Sequence, residues 1–284
     1  MRLATLLTTM ALAAGLTGAA SAQANWNTPA EPFRVADNLW YVGTEGLGVY
    51  LFTSPEGHIL LDGATPQAVP IIEVNILKAG FKLSDVKIIL NSHAHFDHSG
   101  GIAELKEHTL AKVAAMAPDV PALEGGFYQG SEAIKAYNAP PVKVDRVLKD
   151  GDTVKLGGWT LTANLTPGHS PGCTTWSFKA SDQGKTYDAA VFCSASVAAN
   201  RITAPFQYAG IVEDYRKTFA KAKTMKVDIF LAPHGEFIGL AEKRAKIAPG
   251  APSPFVSPGE FHAFVAKQEE AFERTLAERM TATK

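Results

Sequence analysis

The sequence predicts an α+β domain in which two β-sheets pack face to face and helices cover the outside. Three observations carry this. Short apolar runs bounded by Gly, Pro, Asn, Asp and Ser recur along the chain, helical patterns separate them at intervals, and neither a linker nor a short-period repeat divides the chain. The 284 residues are 46% hydrophobic and 19% charged, enough to bury a large core. A net charge of −1 gives no reason to expect nucleic acid or an anionic membrane as a partner.

Residues 1–22 stand apart. Met1-Arg2 supplies a positive start, Leu3 to Ala20 is almost uncharged, and Ala20-Ser21-Ala22 is an A-x-A cleavage site before Gln23. This reads as a secretory signal peptide. A membrane anchor would need a longer and less alanine-rich apolar core. The mature chain, 23–284, then holds 284 − 22 = 262 residues, and its net charge is near −2 because Arg2 leaves. Export implies an oxidising compartment.

After a disordered start, Phe33 to Val42 predicts a strand. Val49 to Thr53 and His58 to Asp62 flank the turn Ser54-Pro55-Glu56-Gly57, which predicts a hairpin. Pro70 to Lys78 has apolar residues at helical spacing and stops at Gly80. Val86 to Leu90 is a buried strand, Ser99 caps a helix through about His108, and Lys112 to Met116 is a short strand. Ala117 to Pro141, rich in Pro and Gly, predicts a long loop over a cleft; Phe127 and Tyr128 either contact substrate there or pin their own loop. Val142 to Leu148, Thr153 to Leu156 and Thr160 to Leu165 are strands separated by Asp150-Gly151 and Gly157-Gly158.

Cys173 to Phe178 and Tyr187 to Cys193 flank Ser181-Asp182-Gln183-Gly184 and predict another hairpin. Folding it about residue 183 pairs positions that sum to 366, and 173 + 193 = 366. The only two cysteines would therefore face each other and form a disulfide, stabilising by about 3 kcal/mol in the chain-entropy model. Cys193 as a metal thiolate is the alternative. A helix from Val212 to Ala222, a strand from Val227 to Leu231 and a helix from Phe237 to Ile247 follow. The last helix, Gly259 to Met280, carries Phe261, Phe264, Val265, Phe272 and Leu276 on one stripe, a core-packing pattern.

The chemistry gathers around Ile88-Ile89-Leu90-Asn91-Ser92-His93-Ala94-His95-Phe96-Asp97-His98. Alternate residues of an extended segment share a face, so His93 and His95 point one way, and the turn after Phe96 brings Asp97 and His98 to a neighbouring position. Two further histidines follow apolar strands in the same manner: His169 after Thr166-Pro167-Gly168, and His234 after Ala232-Pro233. Asp62 ends one apolar run, and Ser194-Ala195-Ser196 follows another. If these ends share an edge of the sandwich, six ligands sort into His93, His95 and His169 for one zinc and Asp97, His98 and His234 for a second, each with open coordination. A water between ions about 3.5–4 Å apart ionises near neutral pH, which implies hydrolysis of an acyl bond without a covalent enzyme intermediate. Asp62 accepts hydrogen bonds from the ligand loop and orients it. His58, His108 and His262 read as surface residues.

His-x-His-x-Asp-His, the later Gly-His and the final Pro-His resemble the metallo-β-lactamase superfamily, over essentially the whole mature chain. The resemblance implies an αββα four-layer sandwich, with residues 23–284 as the catalytic domain. Thioesterases and lactonases of that superfamily usually have a bridging aspartate at the position occupied here by Cys193, which Ser194 follows. Cys193-Ser194, with three histidines in one site and Asp-His-His in the other, is similar to subclass three of the class B β-lactamases. That similarity implies two zinc ions, a Cys173–Cys193 disulfide that removes Cys193 from the metal shell, and Ser194 and Ser196 binding the substrate carboxylate. It implies a periplasmic monomer that opens the amide of penicillins, cephalosporins and carbapenems with a zinc-bound hydroxide, oriented by Asp97, and so confers antibiotic resistance. The partner is a small molecule, with neither nucleic acid nor membrane after signal cleavage. The alternatives are a lactonase or glyoxalase II-like thioesterase, or a zinc-binding protein without turnover.

Overall fold

Alternation of buried side chains along the first strands builds the layers. The computed structural model describes residues 25–282, so the expected signal peptide lies outside the described residues. Strands β1 (Phe33–Ala36), β2 (Leu39–Tyr41), β3 (Tyr50–Phe52), β4 (His58–Leu61), β5 (Val86–Leu90), β6 (Lys112–Met116) and β7 (Arg146–Leu148) form one sheet in that order. It is antiparallel from β1 to β4 and parallel from β4 to β7. Tyr50, Phe52, Ile59, Leu61, Leu90, Ala114 and Met116 join the core shared with the second sheet. The residues between them, Leu51, Leu60, Ile89, Val113 and Ala115, pack instead with Val69, Ile72 and Ile76 of helix α1 (Val69–Lys78). The period of two thus gives the sheet two apolar faces.

The second sheet runs β12 (Ile229–Leu231), β11 (Lys185–Val191), β10 (Thr174–Asp182), β9 (Trp159–Leu165), β8 (Thr153–Leu156), antiparallel except for the β11–β12 pair. Its outer layer is α5 (Ile211–Thr224) and α7 (Glu260–Ala282). Phe272 stacks on Tyr215 at 4.7 Å, and Phe261 lies 5.4 Å from Phe192 and 5.5 Å from Phe230. The stripe read on the last helix is therefore core, each buried ring contributing roughly 1.5–3 kcal/mol. Two mixed sheets with helices outside make the expected αββα sandwich. Among the described residues no helix is long and apolar enough to cross a membrane.

Several elements differ from expectation for identifiable reasons. The strand read over Phe33 to Val42 is two, β1 and β2, because Asn38 adopts the left-handed conformation (φ +60°) that Asn tolerates. Ser99 caps no helix. It ends α2 (Phe96–Ser99), its hydroxyl donating to the His95 carbonyl at 2.9 Å, and α3 (Ile102–Thr109) starts beyond Gly101. A Cβ on Gly101 would stand 2.2 Å from the Gly63 carbonyl oxygen, so only glycine lets the two segments approach. The stretch 117–141 contains three helical segments, 117–119, α4 (Val120–Gly125) and 135–137. Pro118 and Pro121, read as loop residues, occupy first-turn positions where their missing N–H costs nothing. The expected helix over Phe237 to Ile247 is divided at Gly239 (φ +59°) into the turn Gly235–Ile238 and α6 (Leu240–Arg244).

The cysteine hairpin has a register different from the one expected. Trp176 pairs with Val191 and Asp182 with Lys185, so partners sum to 367. In that ladder residues 173 and 193 would point to opposite faces. The disulfide nevertheless forms, with a Cα separation of 5.8 Å, because both cysteines lie just beyond the strands. There the chain is held by other bonds, Thr174 N–H to the Ser92 carbonyl and Phe192 N–H to the Leu231 carbonyl, both 2.8 Å.

Candidate metal centre

The apolar strand ends do converge. β5 leaves the core through Asn91 and Ser92, whose carbonyls accept from Trp176 Nε1 at 3.1 Å and Thr174 N at 2.8 Å. These bonds aim the segment that follows. The imidazole centroids of His93, His95 and His169 form a triangle with sides of 4.6, 4.6 and 4.7 Å. One ligand atom from each lies within 4.8 Å of the others, and Asp97, His98 and His234 form a second such group. In the second group His98 Nε2 is 3.1 Å from His234 Nε2, and Asp97 Oδ2 lies 3.2 and 3.4 Å from those two nitrogens. The rings of His93 and His98 are 4.4 Å apart, so the groups adjoin.

Burial sets the charge states. It pushes His93 and His95 well below the usual histidine range, with neighbouring imidazoles adding to the effect, and lowers His169 to about 4. These three rings are neutral at pH 7 and their lone pairs are available. For Asp97 burial opposes ionisation, but the attraction of His98 and hydrogen bonds from His234 and His98 outweigh it and hold the carboxyl well below its ordinary range. His98 is raised by the same attraction, against its own burial. His169 Nδ1 donates to the Ser196 carbonyl at 2.7 Å, which fixes the tautomer and leaves Nε2 as acceptor. His93 Nε2 is buried with no hydrogen-bond partner among the described residues.

A cation resolves this arrangement. Three neutral imidazoles converge with His93 Nε2 unpartnered, and an N₃ set beside an N₂O set suits zinc. Cys173 and Cys193 also lie near His93, but their sulfurs are bonded to each other and offer no thiolate.

Asp62 is fully buried at φ +69°, and its Oδ1 accepts from Ser92 N at 2.7 Å and Asn91 Nδ2 at 3.2 Å. Burial raises it to about 6, against the pull of His98 and of those donors. Ser194 is buried, with its hydroxyl 3.3 Å from that of half-buried Ser196. Of the histidines read as surface, His108 and His262 are exposed, whereas His58 is 5% exposed and accepts from Ser54 N–H.

Other residues at the centre had no sequence pattern to reveal them. Asp119 ends the helical segment 117–119 and Asn200 stands in an irregular stretch, neither with motif spacing. Asn200 donates to the His169 carbonyl at 2.8 Å and accepts from Tyr128 Oη at 2.9 Å. Tyr128 is buried, its ring stacked on His95 at 4.1 Å and 13°, so it pins its loop against that imidazole. Phe127 packs into the outer core instead. Trp26 lies 5.8 Å from His234. A concavity of about 740 Å³ between Ile202, Phe206 and Leu276 holds none of these histidines.

A four-layer sandwich with two adjoining histidine-rich groups at the ends of its strands defines a metal-dependent hydrolase architecture. Residues 49–182 match the family described as the metallo-beta-lactamase superfamily. The subclass B3 metallo-beta-lactamase BJP-1 of Bradyrhizobium japonicum is 49% identical, with a TM-score of 0.90 over 93% of this chain and 100% of that one. The FEZ-1 metallo-beta-lactamase of Legionella gormanii is 40% identical, with a TM-score of 0.86 over 89% and 98%. A hydroxyacylglutathione hydrolase of Rhodopseudomonas palustris (strain BisB5) is 32% identical over 127 residues, 45% of this chain and 41% of that protein. The chain thus spans less than half the length of that curated relative. It belongs to the metallo-beta-lactamase superfamily, and subclass B3 enzymes are among the solved structures it resembles.

Proposed function

We propose that the protein is an exported, periplasmic β-lactamase that uses two zinc ions to hydrolyse the amide of penicillins, cephalosporins and carbapenems, conferring resistance. The observation that carries this reading is Cys193. By the resemblance it stands where thioesterases and lactonases of the superfamily usually have a bridging aspartate, and its sulfur is locked in a disulfide. The likeness to BJP-1 over nearly the full length supports the same substrate class.

His93, His95 and His169 would hold one ion, and Asp97, His98 and His234 the other. Bound zinc supplies a Lewis acid and brings the ionisation of water near neutral pH. The chain's own groups do the rest. Burial keeps the first three imidazoles neutral, the Ser196 carbonyl orients His169, and the Asp97 carboxylate, ionised at working pH, orients the attacking water. Ser194 and Ser196, their hydroxyls 3.3 Å apart, receive the substrate carboxylate.

A second reading, a glyoxalase II-like thioesterase, is favoured by the hydroxyacylglutathione hydrolases among the relatives. The test is purified mature protein with a carbapenem, a lactone and a glutathione thioester, with and without chelator. Loss of carbapenem absorbance, abolished by chelator, is the expected result. Turnover of the thioester alone establishes the second reading, and no turnover of any of the three leaves a zinc-binding protein without catalysis.

A further inference from the structure

Asp119 is 2% exposed, and three neutral donors converge on it. Ala94 N–H and the Ser170 hydroxyl donate to Oδ2 at 2.9 and 2.7 Å, and Gly172 N–H donates to Oδ1 at 2.6 Å. Ala94 stands between His93 and His95, while Ser170 and Gly172 closely follow His169. One carboxylate therefore ties together the two distant segments that bear the three imidazoles. Its fit is tight, since a Cβ on Gly172 would stand 2.6 Å from Asp119 Cγ and 2.7 Å from Asp119 N. The Asp97, His98 and His234 group receives no hydrogen bond from it among those described.

We propose that Asp119 is a positioning residue for the three-histidine site, holding His93, His95 and His169 in the convergent arrangement that one ion needs. The proposal rests on the reading of that group as a metal site. A buried carboxylate without a cationic partner is costly unless its donors are all placed, and these donors leave little freedom to the backbone beside each ring. An asparagine cannot replace it. Its amide offers one acceptor atom, so whichever way it turns, either Ala94 N–H or Gly172 N–H faces an NH₂ group.

The experiment is stepwise zinc and Co²⁺ titration of the metal-stripped full chain, comparing wild type with Asp119→Asn, Ser170→Ala, His169→Ala and Leu276→Ala. Asp119→Asn should weaken one of the two binding steps by about 10–100-fold, leave the other within about twofold, and change the Co²⁺ spectrum of the weakened site. Ser170→Ala, which removes one of three donors, should weaken the same step by a smaller factor. Leu276→Ala, in the core of α7, should lower the melting temperature without moving either step, which separates positioning from general destabilisation. If Asp119→Asn does not fold, Ser170→Ala decides: weakening of that step alone supports the proposal, and no change overturns it. Equal weakening of both steps, or none, in folded Asp119→Asn also overturns it. Two ions in wild type and one in His169→Ala, with Asp119→Asn unaltered, refutes the positioning role alone. No ion in wild type removes the metal-site reading and this proposal with it.

Discussion

Replacing both cysteines by alanine, Cys173→Ala with Cys193→Ala, separates what the disulfide does for folding from what a thiolate would do for metal. The bond closes a loop with a sequence separation of 20 residues. In the chain-entropy model such a loop removes about 11 cal/mol/K from the unfolded ensemble, or about 3 kcal/mol at 25 °C. For a chain of this size that corresponds to roughly 6–12 °C in melting temperature. The two sulfurs are fully buried under the ligand loop, with Cys193 Sγ 3.3 Å from the Ser92 carbonyl oxygen, so the variant also loses packing and the cost should not fall below the entropic figure. Urea unfolding at fixed, saturating zinc gives the stability difference, and metal analysis after gel filtration gives the stoichiometry. The expected outcome is a lower urea midpoint with both ions retained. A stability loss under about 1 kcal/mol would refute the constraint argument, and loss of one ion would return Cys193 to the metal shell.

Two further outcomes follow from buried groups. In metal-free protein His93, His95 and His169 refuse protons that the unfolded chain accepts near pH 6.5, so they make stability fall as pH drops from about 6.5 toward 4. Asp62, raised to about 6, and Asp119, also raised by burial, take up protons in the folded state and offset part of this, so stability still falls on acidification. A melting temperature that stays level or rises between pH 6.5 and 5 contradicts that sign. Asn75 on α1, 3% exposed, donates to the carbonyls of Ala30, Val42 and Gly43 at 3.0, 3.1 and 3.0 Å. Asn75→Ala strands those carbonyls and should cost about 2–3 kcal/mol in urea unfolding; a change under about 0.5 kcal/mol would show that water replaces the amide.

Much of this was legible in the chain because it is local. Apolar runs with turn residues between them marked most of the strands, and the spacing of His93, His95, Asp97 and His98 brought four donors together without any knowledge of the fold. The misreadings have identifiable causes. Asn38, Gly101 and Gly239 interrupt elements through backbone conformations or close approaches that depend on neighbours, and Pro118 and Pro121 belong to helix starts as readily as to loops.

By itself the sequence determined the layers and the donors: a period of two for the sheets, a stripe for the last helix, and imidazoles placed at the ends of apolar runs. Only the tertiary structure decided how those donors are held. Asp119 binds Ala94 and Gly172 across chain distances that no spacing rule connects, Asn200 joins Tyr128 to His169, and the two sulfurs meet although the ladder beside them runs in another register. The reason is physical. Periodicity records which face of an element is buried, whereas a hydrogen bond between loops depends on where two separately folded segments end, which packing alone sets.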